Sequence, residues 1–309
     1  MIVVIYHKCA MLSTNKNTSC PAGLKRLLER LYKTFDASFL STDPLCFVHG
    51  FERAQDREIA GLIASSLAYG RVEGIKNSIA RVLGVMGKSP HDFTMAFRPE
   101  RDSKRFALFA HRFNTGSDIC ALILIAQKMI KSAGSIGGFF LRGYCPADEN
   151  IKNALVVFSD NALALCDKSS GIYGKGGKGP LPEDAGVRFF FPNPLDGSAC
   201  KRLNLYLRWM VRRGDSLDFG IWKDVSPAKL VIPLDTHVAR ISKNIGLTAL
   251  SSPGWSMAED ITRALKRLDP KDPVKYDFAL CRLGILDKCP RTKDLKKCES
   301  CLIRNICIL

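Results

Sequence analysis

Cysteines crowd the end of this chain. Cys289, Cys298, Cys301 and Cys307 follow the spacing Cys-x8-Cys-x2-Cys-x5-Cys, so four thiols fall within nineteen residues. Spacers this short let four sulfurs converge on one centre, either a cubane iron–sulfur cluster or a tetrahedral zinc. A zinc ribbon usually offers two separate Cys-x2-Cys knuckles. Here one Cys-x2-Cys pair is flanked by single cysteines at longer reach, which favours an iron–sulfur cluster, with zinc as the alternative. Cys281 lies in an apolar helical pattern with Phe278, Leu280 and Ile285 and reads as core rather than ligand. The other cysteines (Cys9, Cys20, Cys46, Cys120, Cys145, Cys166 and Cys200) are scattered and read as small apolar residues without chemistry.

Ahead of that loop the chain reads as helical, and nothing reads as a strand. Ala22–Thr34 places Leu24, Leu27, Leu28 and Leu31 at helical spacing with Lys25, Arg26, Arg30 and Lys33 turned outward. Asp56–Ala68, Gly74–Met86, Lys104–Arg112, Ser117–Ser132 and Asn150–Cys166 repeat the pattern. The glycine-rich stretch Asp167–Gly186, with Lys168, Lys175 and Lys178, predicts an exposed, mobile insertion. It is not a Walker loop, because Gly179 follows Gly177-Lys178 where Ser or Thr is required. The next helix is expected from the Leu195–Lys201 turn to about Arg213, with Leu203, Tyr206, Leu207 and Met210 inward and Lys201, Arg202, Arg208 and Arg212 on a basic outer side. A helix from His237 to Gly246 follows. Then comes one opened by a Ser256/Glu259 capping box, and one from Pro273 to about Leu286.

Composition narrows the class of partner. Lys+Arg 46 against Asp+Glu 30 gives a formal net charge of +16, and residues 201–309 carry +9 of it. Such a chain suits nucleic acid, an anionic membrane surface or an acidic protein. The longest apolar run, around Ala121–Ala126, is far short of the ~20 residues of a membrane span. Met1–Leu12 carries His7 and Lys8 and lacks the organisation of a secretion signal. A soluble, cytoplasmic protein is expected, with no membrane partner. Met11 offers a second start, because the residues through Cys20-Pro21 read as a polar lead into the first helix.

Two further segments carry candidate chemistry. Leu195-x-Gly197-x-Ala199-x-Lys201 is a tight turn feeding a helix N-terminus, and free N–H groups there would make a phosphate seat that needs no sequence reading. Asp235 stands where a helix begins, after Pro233, with His237 two residues on. Singly, a surface lysine and an N-cap aspartate are ordinary structural devices.

Taken in order, the turn with its lysine, Leu234-Asp235-Thr236-His237-Val238-Ala239-Arg240 and the four cysteines resemble the helix-hairpin-helix DNA glycosylases of the endonuclease III type over roughly Asp56 to Leu309. The strings Gly197–Leu205 and Pro273–Leu280 also resemble an uncharacterised bacterial branch grouped near these enzymes. The resemblance implies an all-α, two-lobed fold closed by a four-cysteine [4Fe-4S] loop. It places Lys201 on the family's Schiff-base lysine, Asp235 on its essential aspartate, and Cys289, Cys298, Cys301 and Cys307 on its cluster ligands. Gly197, Ala199, Arg202, Arg240, Tyr69 and Arg71 become the implied DNA-contacting residues, Leu62–Arg71 looking like the helix whose end enters the duplex. Three units are expected: an N-terminal segment over 1–50 that joins the cluster lobe, a helical lobe over 51–230 holding the turn (195–213), and a C-terminal lobe over 231–309.

The sequence departs from that pattern in three places. Asp196 replaces the hairpin proline, Ala199 its second glycine, and an insertion around Asp215–Lys229 stretches the Lys201–Asp235 interval to 34 residues. The expected function is base excision from damaged or abasic duplex DNA, with lyase chemistry at Lys201. A non-catalytic nucleic-acid binder on the same scaffold and a zinc-stabilised interaction module are the alternatives.

Overall fold

The structure, a computed structural model, describes residues 22–174, 179–286, 289–290 and 292–308. Met11, Cys9, Cys20, Lys175, Lys178 and Lys288 lie outside the described residues, as does the start of the expected 1–50 unit.

The N-terminal half is a stack of helices. It holds α1 (Ala22–Thr34), the short α2 (Cys46–His49), α3 (Ala54–Ser66), α4 (Val72–Met86), α5 (Pro90–Ala96) and α6 (Pro99–Asp102). Further along come α7 (Gly116–Ala133), α8 (Ile136–Leu141) and α9 (Lys152–Ala164). The expected Lys104–Arg112 helix is instead a 3-10 turn, Ser103–Phe106, followed by a small hairpin of β1 (Ala110–His111) and β2 (Asn114–Thr115). The chain doubles back there and packs tightly: a Cβ on Gly116 would lie 1.9 Å from the Phe106 carbonyl oxygen, so only glycine fits. Thr115 and Asp118 then form a reciprocal capping box that starts α7.

The centre of the molecule is α10 (Lys201–Val211), crossing α3. A Cβ on Gly61 would meet Met210 Cε at 2.8 Å, so the glycine lets the two helices approach. Every residue from Arg202 to Val211 is buried, and the expected basic outer side does not exist. Arg208 and Arg212 are each 2% exposed and face carboxylates delivered by other segments. Arg208 bonds Asp277 at 2.5 Å and Asp218 at 3.3 Å. Arg212 bonds Asp218, Asp215 at 2.9 Å and Asp272 at 2.9 Å. Arg202 is also turned inward, its guanidinium 3.5 Å from the Phe189 ring centre and donating to the Ser66 and Phe189 carbonyls. Sequence periodicity shows apolar stripes but not that counter-charges will arrive from elsewhere.

The insertion after α10 is part of this core. Phe219 N and Trp222 N donate to the Trp209 and Met210 carbonyls at 2.8 Å each, and the Trp222 indole donates to buried Glu58 at 2.6 Å. The glycine-rich stretch is likewise pinned at its described ends. Lys168 N donates to Gly179 O, and Tyr173 reaches inward to Asp118 at 2.7 Å, so its N-terminal part is not the free loop expected.

The C-terminal part holds α11 (Thr236–Asn244), α12 (Trp255–Lys266), α13 (Asp277–Ile285) and α14 (Leu295–Glu299). Gly254 rather than Ser256 caps α12, and Glu259 accepts instead from Asn150 at 2.7 Å. Turns occupy residues 273–276 before α13, because Lys275 and Tyr276 are engaged with Glu29 of α1 at 2.8 and 2.6 Å. These bonds hold the N-terminal helix against the C-terminal part. Apolar residues from Leu24 to Ile303 form one continuous core. Among the described residues no helix is long and apolar enough to cross a membrane.

Substituting Arg212→Met should take the guanidinium from Asp215, Asp218 and Asp272 at a dry helix end, leaving Asp218 only Arg208. The expected cost is about 3–5 kcal/mol, read as a lowered midpoint in urea denaturation. A wild-type midpoint would show that the network adds nothing.

Candidate functional site

The turn before α10 is a 3-10 helix, Pro194–Asp196, followed by Gly197 at φ 76° and Cys200 at φ 47°. Two left-handed residues swing the chain into the helix so that Lys201 opens it. Leu195 N, Asp196 N, Gly197 N and Cys200 N bond within the turn, to Asn193, Pro194 and Ser198. Those four donors are therefore not aimed at an outside phosphate, and the Gly197 carbonyl accepts from Trp255 N at 3.1 Å, docking the turn on α12. Gly197 itself stays exposed, while Ala199 and Lys201 line a cavity of about 660 Å³.

Lys201 and Asp235, 34 residues apart in the chain, meet at that cavity. The Lys201 Nζ donates to the Ala68 carbonyl at 3.1 Å. Asp235 caps α11: its Oδ1 accepts from His237 N and Val238 N, both at 2.8 Å. The cavity wall opposite is α13, which supplies Asp277, Phe278 and Cys281. The helices α11 and α13 are drawn together at Gly284, where a Cβ would lie 2.5 Å from the His237 Cβ. Burial, with the Asp235 carboxylate adding to it, pushes the Asp277 carboxyl up to about 6 against the pull of Arg208. The Cys281 thiol is pushed up by burial and then by Asp235. Cys281, read from sequence as core, packs against the core and also lines the cavity. Helical periodicity cannot tell a residue facing the core from one facing an internal cavity.

Tyr69 and exposed Arg71 also line the cavity. The Tyr69 hydroxyl donates to Asn114 at 2.5 Å and to the His111 carbonyl at 3.0 Å, tying it to the β1–β2 hairpin. Its ring touches those of Phe113 (5.5 Å) and Phe189 (4.9 Å). Phe113 is 56% exposed and follows Arg112, which holds a left-handed φ of 55°. Such strain in a non-glycine residue needs firm support, and it is supplied: His111 bonds Ser78 and the Tyr69 carbonyl, and Asn114 bonds Asp118 and the Gly186 carbonyl. Phe113 carried no sequence signal: it lies just past the expected Lys104–Arg112 helix. The expected DNA contact Arg202 is buried beneath this aromatic group.

Arg240, the other arginine expected at DNA, donates from Nη2 to the Cys289 carbonyl at 2.8 Å and lies 3.4 Å from His237 Nδ1. It thereby links α11 to a second cavity, about 710 Å³, lined by Cys289, Cys298, Cys301 and Cys307 with Lys293, Lys296, Lys297 and Arg304. Ile308 N donates to the Asn244 carbonyl and adds a second tie. Burial raises the Cys289 thiol, Arg240 opposes this, and Cys298 and Cys307 act on it through their charge. The four cysteines are not disulfide-bonded. Among the described residues no three His, Cys, Asp or Glu side chains stand close enough to hold a single ion.

No curated protein matches the chain. A solved structure described as a trapped endonuclease III–DNA covalent intermediate, an estranged-adenine complex, aligns over 93% of this chain and 94% of that one, at 15% identity and a TM-score of 0.46. Residues 43–286 match the family described as "Protein of unknown function (DUF2400)", a span that takes in both Lys201 and Asp235. The chain belongs to that family.

Proposed function

We propose that this protein is a DNA N-glycosylase that excises a base from damaged duplex DNA. The observation that carries the reading is the meeting of Lys201 and Asp235 at one cavity with a rigidly held, exposed aromatic beside it. An enzyme that acts on a base must take it out of the stack, which needs a wedge, a pocket and grip on the backbone. Phe113, stiffened by the strained hairpin, supplies the wedge in this reading, a role that sequence reasoning gave to Tyr69 or Arg71. Arg71 and the lysines of the C-terminal loop face the phosphates, in line with the net charge of +16.

In the chemical step, the bond between the sugar C1′ and the base nitrogen breaks and a water oxygen bonds to C1′. Asp235 takes a proton of that water, which passes to the departing base, and its carboxylate stabilises positive charge on the sugar. Lys201 offers the other route: its amine bonds to C1′ as the base leaves, an amine proton passes to that base, and opening of the C1′–O4′ bond, with O4′ taking a proton, gives the Schiff base. The hydrogen bond from Nζ to Ala68 favours water as nucleophile, because the amine must leave that carbonyl before it attacks.

The four cysteines are the candidate ligands of a [4Fe-4S] cluster. A single zinc needs all four sulfurs within ~2.3 Å of the ion, whereas four cysteines spread around one wide cavity suit a larger group. When bound, the cluster would supply a covalent cross-link that holds the basic loop, and Arg240 would carry that rigidity to α11.

Asp235→Asn should lower base release by about 100-fold or more while duplex affinity stays near wild type. Phe113→Ala should weaken duplex binding by roughly 1–3 kcal/mol. Lys201→Gln should abolish any borohydride-trapped adduct on an abasic duplex. Base release surviving in that variant would establish water as the nucleophile. Activity unaffected by Asp235→Asn would reduce that residue to a helix cap, and no duplex binding at low salt would refute the nucleic-acid reading altogether.

Protein purified without oxygen should be brown and carry about four iron atoms per chain. Cys301→Ser should release them, and Cys166→Ser should not. Colourless protein with one zinc would replace the cluster by the zinc alternative.

A further inference from the structure

Asp235 has one oxygen fully engaged by the helix it caps, and the orientation of the other depends on α13. The Sγ of Cys281 stands 3.4 Å from Asp235 Oδ2 and on the donor side of that contact. Arg282 Nη2 lies 3.5 Å from the same sulfur, so the thiol accepts from a guanidinium while it donates to a carboxylate. Arg282 is itself fixed by Asp43 at 3.1 Å and by the Thr42 carbonyl at 2.7 Å. A chain of polar contacts thus runs from the N-terminal part of the molecule, through one sulfur, to the carboxylate at the cavity. The close approach at Gly284 keeps the two helices near enough for the contact.

We infer that Cys281 is the positioning residue of Asp235, its S–H holding Oδ2 in place at the cavity wall. The inference rests on the proposal that Asp235 acts as the acid–base group. A carboxylate swings readily about χ2, with broad rather than sharp minima, so a donor on each oxygen defines its plane better than a cap alone.

The charges around the contact come from every wall. They are Lys201 and Arg208 on α10, His237 on α11, Asp277 and Arg282 on α13, and Asp43 and Arg71 from the N-terminal part. Burial and the Asp235 charge both resist ionisation of the thiol, so sulfur remains a donor at neutral pH.

Two measurements test this. The first needs no activity: the rate of iodoacetamide labelling of Cys281, followed by mass spectrometry of its peptide, in wild type and in Asp235→Asn. Removing the neighbouring charge should make the thiolate more accessible, and labelling at pH 8 should rise about threefold or more. Equal rates, or no labelling in either protein, overturn the inference. The second is the kinetics of base release. Cys281→Ala should lower kcat about tenfold and leave KM unchanged, while Cys281→Ser, which keeps a donor, should restore kcat. Wild-type kcat in the alanine variant also overturns it. If the wild-type protein releases no base from any substrate, the glycosylase reading fails, and the labelling arm still decides the contact.

Discussion

Burying Arg208 in the last turn of α10 and Arg212 at its C-cap is the constraint on which the rest of the structure depends. An unpaired guanidinium in a dry core costs several kcal/mol, so the helix can occupy the centre only if carboxylates come to it. They come from the segment after the helix (Asp215, Asp218), from the turn before α13 (Asp272) and from the first residue of α13 (Asp277). The polar network therefore does what an apolar core does not. It sets the register of α13 against α10. The turn of α13 that presents Asp277 to Arg208 is followed by the turn that presents Cys281 to Asp235, so the geometry of the site is inherited from the ion network.

The two cavities share one helix. Asp235 caps the N-terminus of α11 at the first cavity, while Arg240 and Asn244 reach the cysteine-lined cavity from its later turns. Nine residues at 1.5 Å each make a rod of about 13 Å, stiff enough to carry a displacement at the cysteine loop to the carboxylate. Two arginines of DNA-contacting expectation, Arg202 and Arg240, turn out to be structural: one underlies the aromatic group at the hairpin, and the other ties α11 to Cys289. At the two cavities, Arg71 and the lysines around the cysteine loop remain exposed.

The rim hairpin is held more firmly than two residue pairs of ladder could hold it. Tyr69, Ser78, Asp118 and the Gly186 carbonyl all bond its side chains, and together they stabilise the left-handed Arg112. What this support leaves in solvent is Phe113. An exposed aromatic on a mobile loop would lose entropy on stacking; one on a fixed hairpin has lost it already.

Local chemistry was legible in the sequence. The leucine spacing of α1, the apolar faces of α7 and α9, the capping role of Asp235 and the density of cysteines at the end all depend on neighbours within a few residues, and the chain carries that information by itself. Tertiary structure alone decided the inward turn of Arg202, Arg208 and Arg212, the hairpin where a helix was expected, the glycine cap of α12 and the place of Cys281 beside Asp235. Each of those side-chain placements depends on partners beyond the local pattern: carboxylates three to 69 residues away for Arg208 and Arg212, an aromatic ring and two carbonyls for Arg202, or a second helix end for Cys281. The energy of a buried charge is set by what surrounds it in space, and periodicity records only which side a residue faces.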